Sequence, residues 1–249
     1  MSQQHTLNTL RDLKLHGMAE ALERQFQTPK LLEAGFEERL AMLLDAEHFA
    51  RENRRLQRLL KQARLKVNAC IEDIDYRPGR GLDRQQINGL LSCDWIERHQ
   101  NLIITGPTGA GKTWLACALA HQAARCGLSA SYRRLPRLLE DMAIAREAGN
   151  LPNVRTQLAK IKLLVLDDWG LATLNRRGRQ DLLEIIDDRV NSSSTIITAQ
   201  LPVAEWHAYL GEPTIADAIL DRIVHSAHRI QLQGESMRKL KASKAKSSK

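Results

Sequence analysis

The stretch Gly106-Pro107-Thr108-Gly109-Ala110-Gly111-Lys112-Thr113 constrains this chain more than any other. It follows the apolar run Leu102-Ile103-Ile104-Thr105 and opens the apolar helical pattern Trp114-Leu115-Ala116-Cys117-Ala118-Leu119-Ala120. Strand, glycine loop and helix in that order, with G-x-x-x-x-G-K-[ST] matched at every fixed position, define a phosphate-binding P-loop. The glycines let the backbone turn until its N–H groups surround a β-phosphate, and the helix N-terminus adds partial positive charge. Lys112 is expected to reach the β- and γ-phosphates, and the Thr113 hydroxyl to hold Mg²⁺.

A second motif completes the expected site. Leu163-Leu164-Val165-Leu166 runs directly into Asp167-Asp168. A continuous apolar run fits a strand buried on both faces, and acids at its end lie at the ligand edge of a parallel sheet. Asp167 is expected to hold the Mg²⁺ through water, and Asp168 to orient or deprotonate the attacking water. Together the motifs make ATP and Mg²⁺ the expected cofactors. Thr198 and Gln200 end a further apolar run, Thr195-Ile196-Ile197-Thr198-Ala199, where a polar side chain can sense a γ-phosphate and position water. The other reading is an ordinary strand end. Arg222, in Ile219-Leu220-Asp221-Arg222-Ile223, also has two readings. It pairs with Asp221 or Asp217, or it is an arginine finger for the next subunit's ATP site, a device worth about 10³–10⁵ in rate.

The remaining pattern gives the fold class. Strand-like runs at 129–133, 195–199 and 228–232 alternate with helical patterns at 135–148, 180–190 and 214–224. That alternation predicts an α/β protein, a parallel sheet flanked by helices. Residues 7–66 carry no strand signal. Leu7, Leu10, Leu13, Met18, Ala21 and Leu22, then Leu40, Leu43 and Leu44, follow a helical period, with Thr28-Pro29 as a boundary. The expected domains are therefore a small all-α DNA- or partner-binding module at 1–70, an ATPase domain at 71–237, and a basic disordered tail at 238–249. With 43% hydrophobic but only 4% aromatic residues, aliphatic side chains must fill the core. No apolar run of about 18 residues occurs and the start is not a secretory signal, so no membrane is expected and the expected location is cytoplasmic. Cys70, Cys93, Cys117 and Cys126 form no C-x-x-C pair and read as reduced thiols.

A net charge of +8 matters for where it sits. Between 51 and 66 the chain carries Arg51, Arg54, Arg55, Arg58, Lys61, Arg64 and Lys66 against one acid, Glu52. Many of these fall three or four apart, on one side of a helix. Such a run repels itself unless an anion lies alongside, which favours double-stranded DNA over an acidic protein surface or simple solvation. Nothing resembles a base-reading motif, so the contact is expected to be largely independent of sequence.

The longer blocks carry a resemblance. The P-loop, then the run 163–168 followed by Trp169-Gly170, is similar to the DnaC-like branch of AAA+ ATPases. Residues 181–189, 194–202, 213–222 and 234–238, with Leu15-His16-Gly17-Met18-Ala19, resemble the IstB family, ATP-binding helper proteins of insertion-sequence transposition. The likeness covers nearly the whole chain. It implies an AAA+ core behind a helical N-terminal domain, homo-oligomers assembling on DNA through ATP at subunit joints, and delivery of that DNA to an IstA-like transposase. It favours Arg222 as the finger and makes Arg238 a candidate second sensor. In one departure, many AAA+ proteins have Glu where this chain has Asp168, a side chain one methylene shorter. The competing readings are a DnaC-type helicase loader, a small-molecule kinase and a non-hydrolysing ATP-gated DNA clamp.

Overall fold

The computed structural model describes residues 2–237 and divides into two compact units, Met1–Arg58 and Leu59–Lys249. The first unit is helical: α1 (Gln3–Asp12), α2 (His16–Gln27), α3 (Pro29–Leu32) and most of α4 (Phe36–Ala63). The units divide inside α4, whereas the helical pattern of the sequence places the boundary at 70. The cause is packing. Ala63 and Ala69 are buried in the core of the second unit, with Leu65 and Val67 packed against it.

Glu47 organises the first unit. Leu15, the N-cap of α2, offers that helix no side-chain cap. The Glu47 carboxylate, from α4, accepts the Gly17 N–H at 2.8 Å and the Met18 N–H at 3.2 Å. A negative charge there also suits the positive end of the helix. Gly17 is required by the close approach of α4, because a Cβ would lie 2.5 Å from the Ala46 carbonyl oxygen. Leu7, Ala21 and Leu22 are buried as their period predicts, but Leu13 and Leu44 are 63% and 55% exposed. Leu44 therefore belongs to the outer side of α4 and not to its packed face.

This contact has a pH signature. Burial works to raise the Glu47 carboxyl, but the Arg51 hydrogen bond and the Met18 and Gly17 N–H groups outweigh it and leave its pKa lowered. A depressed native pKa stabilises the fold above the unfolded value of about 4.3, and that contribution disappears as pH falls through the native value. Glu47→Gln is therefore expected to cost about 1–3 kcal/mol at pH 7 and to remove this part of the acid destabilisation. Thermal unfolding of both chains from pH 7 to pH 3 tests it; identical profiles would refute the assignment.

In the second unit, α5 (Arg84–Leu91) and α6 (Asp94–Glu97) lead into β1 (Leu102–Thr105) and α7 (Lys112–Arg125). Then follow β2 (Ala130–Arg134), α8 (Leu135–Glu147), α9 (Leu151–Ala159), β3 (Leu163–Trp169) and α10 (Arg176–Asp187). The described chain continues through β4 (Ser194–Ala199), α11 (Trp206–Leu210), α12 (Pro213–Val224) and β5 (His228–Gln231). The sheet order is β2-β3-β4-β1-β5, and every adjacent pair is parallel. This is the α/β architecture expected from the sequence. Among the described residues, no helix is long and apolar enough to cross a membrane.

Strand alternation sorts the two faces. Leu102, Ile104, Ala130, Tyr132, Leu163, Val165 and Ile196 pack with α7. Ile103, Leu164, Leu166, Ile197 and Ala199 pack with α8, α10 and α12. By the same period of two, Asp167 and Thr198 face the α7 side. The period then breaks. Leu166 pairs with Ile197, but Trp169 pairs with Ala199, so β3 carries one extra residue. Asp168, at φ 64, lies inside this bulge, and Trp169 rejoins the opposite face, packed on Trp206 at 4.9 Å between ring centroids. A bulge re-aims a side chain at the end of a strand, and here the one it re-aims is an acid.

Candidate functional site

The P-loop joins β1 to α7. Gly106, at φ 146, passes so close to the chain after β5 that a Cβ would lie 2.4 Å from the Leu232 carbonyl oxygen. Gly111, at φ 101, is the N-cap of α7 and gives the left-handed turn that starts the helix at Lys112. The Lys112 ammonium donates to the Gly106 and Pro107 carbonyls at 2.8 and 2.9 Å. Burial lowers its pKa, against the pull of Asp167 and Asp168.

Because β4 lies between β1 and β3, the loop and the two acids face each other across its end. Asp167, 1% exposed, accepts the Thr113 hydroxyl at 2.9 and 3.0 Å on its two oxygens. Thr198 donates to Asp167 Oδ1, while its oxygen accepts the Asp168 N–H at 3.4 Å. Gln200 accepts the Thr108 hydroxyl at 2.7 Å. One cavity of about 730 Å³ has Thr108, Lys112, Thr113, Asp168, Thr198 and Gln200 in its wall, and Asp167 lies behind Thr113 and Thr198.

Three further groups were not legible as site residues. Tyr132, in the middle of β2, donates to Asp167 Oδ2 at 2.5 Å. The Lys66 ammonium lies 3.8 Å from the same oxygen. Arg134 pairs with Asp168 at 2.6 Å, so the expected water-handling carboxylate carries a guanidinium. The only sequence signal was the expected strand at 129–133, which contains Tyr132 and stops one residue before Arg134. Lys66 was counted only with the basic run.

The other expected residues lie elsewhere. Arg222 pairs with Asp187 on α10, not with Asp221 or Asp217, and donates to the Ala218 carbonyl at 2.7 Å. It lines a separate small cavity with Asn101 and Arg189. The basic run is less uniform than counted, because Glu47 lay outside the counted window. Arg51 and Arg54 are drawn onto Glu47 at 2.7 and 3.3 Å. Among the described residues, no carboxylate forms an ion pair with Arg58, Lys61 or Arg64. Arg238 and the tail at 238–249 lie outside the described residues.

The residues fit a magnesium nucleotide. A buried carboxylate beside a threonine hydroxyl offers the hard oxygen donors Mg²⁺ takes, and Mg²⁺ is commonly bound through one or two carboxylates plus substrate phosphates.

A P-loop at the edge of a parallel sheet ordered β2-β3-β4-β1-β5, with an acidic strand end across β4, defines a P-loop nucleotide-binding fold. The chain belongs to the IstB-like ATP binding protein family, whose profile matches residues 8–245. It is 55% identical to a Pseudomonas fluorescens protein described as the ATP-binding protein of insertion sequence IS1162, over 81% of this chain and 88% of that one. It is 48% identical to the insertion-sequence ATP-binding protein y4pL of Sinorhizobium fredii, over 94% of this chain and 96% of that one. The solved structure of DnaI shares the fold at a TM-score of 0.58 with 19% identity, over 71% of this chain and 94% of that one.

Proposed function

We propose that this chain is an ATP-hydrolysing, DNA-binding AAA+ protein that assembles on target DNA and delivers it to a partner transposase. The observation that carries the reading is the meeting of Lys112, Thr113 and Asp168 in one cavity wall, with Asp167 bonded to Thr113, in a chain of an insertion-sequence family. Lys112 and the loop at 106–113 would hold the phosphates, and Thr113 and Asp167 would hold Mg²⁺. Bound there, the metal supplies charge against the β- and γ-phosphates. Asp168 would take the proton of the attacking water after leaving Arg134, with Thr198 fixing the strand end beneath it. Arg222 would complete the site of a neighbouring copy, with Arg238 as a second sensor. ATP at the joint then favours assembly, and hydrolysis favours release.

DNA would be held through its phosphates by the cations of α4 and the turn after it. Each neutralised phosphate contributes about −0.9 to the slope of log K against log salt. Arg58→Ala, Lys61→Ala and Arg64→Ala are each expected to flatten that slope by about 0.9. Arg51→Ala and Arg54→Ala should change it less, because Glu47 already holds them. Equal effects at all five positions would overturn this division.

Binding of double-stranded DNA with ATP, ADP and a non-hydrolysable analogue, followed by particle imaging, tests the whole reading. Nucleotide-independent binding by a monomer would refute it. Purification with a transposase, and not a replicative helicase, separates it from a helicase loader.

A further inference from the structure

The Asp167 carboxylate has an unusual set of neighbours for a metal-binding acid. Its two oxygens offer about four acceptor positions. The single Thr113 proton is shared between the two oxygens, Thr198 donates to Oδ1, and Tyr132 donates to Oδ2. Three hydroxyl protons therefore take up most of the carboxylate's acceptor capacity before any cation arrives.

The three donors are not equivalent. Thr113 sits in the first turn of α7, at the cavity wall, and its oxygen is itself suited to a cation. It can turn from the carboxylate to the metal and free a position on each oxygen. Tyr132 and Thr198 cannot leave so easily. They stand on β2 and β4, the strands on either side of β3, and only 8% and 1% of their surfaces are exposed. They hold the carboxylate from both sides.

We propose that Tyr132 is a positioning residue of the nucleotide site, whose hydroxyl fixes Asp167 in the orientation that receives a divalent cation. The phenol remains a donor, since burial and the Asp167 hydrogen bond both push its pKa upward. Its ring packs in the core on the α7 side, so the orientation is set by the sheet and not by the loop. The inference rests on the proposed nucleotide reading of this cavity and adds a residue to it.

The test is Tyr132→Phe in the full chain, which keeps the ring and deletes only the donor. Binding of ATP carrying a fluorescent ribose label is titrated with Mg²⁺, and again in excess chelator. The expected result is a roughly tenfold rise in the Mg²⁺ needed for half-maximal binding, the scale of one hydrogen bond to a charged group. Binding in chelator should stay within about twofold of the parent, and the unfolding temperature should fall by about 3–10 °C, the scale of one lost hydrogen bond to a charged group in a chain of this size. An unchanged Mg²⁺ requirement overturns the proposal. So does an equal loss of affinity with and without Mg²⁺, which would make Tyr132 a merely structural residue. If the parent chain itself binds the nucleotide without regard to Mg²⁺, the metal reading of Asp167 falls, and this inference with it.

Discussion

Lys112→Ala is expected to abolish ATP binding and ATP-dependent assembly on DNA together. In the structure the ammonium bridges two loop carbonyls, of Gly106 and Pro107, and its pKa is lowered by burial. A half-buried cation held at the mouth of a glycine loop is poised to exchange neutral carbonyls for phosphate oxygens. The variant loses that exchange completely. Two charge-assisted hydrogen bonds, at about 1.5–3 kcal/mol each, correspond to a loss of at least about a hundredfold in affinity. Calorimetric titration with ATP measures the first effect, and DNA retardation with and without ATP measures the second. The fold should survive, since the terminal ammonium is a wall of the cavity and the backbone turn depends on Gly106 and Gly111. A variant that still binds ATP would refute the role of Lys112. A variant that loses ATP but still assembles would separate DNA binding from the nucleotide site.

What could be read from the sequence was whatever short-range chemistry fixes. The P-loop is a local backbone motif, so its spacing gave the strand, the turn and the helix at once. The apolar run at 163–166 could be placed because a strand buried on both faces needs every residue apolar, and its acids then had to sit at the sheet edge. Contacts between distant segments left no such trace. Tyr132 reaches Asp167 across 35 positions of sequence, and Glu47 reaches Gly17 across 30. Neither pairing follows from spacing. The bulge at Asp168 was equally silent, because one extra residue in an apolar run looks like more strand. Glu47 shows a different failure. The acids between 51 and 66 leave out the carboxylate one turn before Arg51, and so overstate how many arginines lack an acidic partner. Charge counts along a helix need the turn on either side.

The two carboxylates at the end of β3 are governed differently. Asp167 is enclosed by donors from three elements and belongs to the rigid sheet. Asp168 stands in the bulge, held by the exposed guanidinium of Arg134. The division suits the roles proposed for them, Asp167 holding a metal in place and Asp168 released to meet water. It also puts β2 in control of both, since Tyr132 and Arg134 are two residues apart on that strand.

Arg222→Ala should lower ATP turnover by about 10³-fold or more while leaving ATP affinity nearly unchanged, if the residue is a finger acting between copies. The bland alternative is visible in the structure. Arg222 forms an ion pair with Asp187, its helix α12 packing beside α10, and that pair alone could explain its presence on an apolar helix. Adjacent Asp221 cannot serve, because neighbouring helical residues do not face each other. Position excludes a role on the chain's own nucleotide. Arg222 is absent from the wall of the nucleotide cavity and lines a different one with Asn101 and Arg189. A role in hydrolysis therefore has to be exercised on another copy. Asp187→Asn removes the ion pair without removing the guanidinium. A finger predicts near-normal turnover for Asp187→Asn and collapse for Arg222→Ala; a purely structural pair predicts small, similar effects from both. Mixing adds a sharper result. A Lys112→Ala chain supplies an intact Arg222, and an Arg222→Ala chain supplies an intact P-loop, so mixed assemblies should regain turnover that neither chain has alone. No recovery on mixing, with assembly on DNA intact, would leave Arg222 as the partner of Asp187 and nothing more.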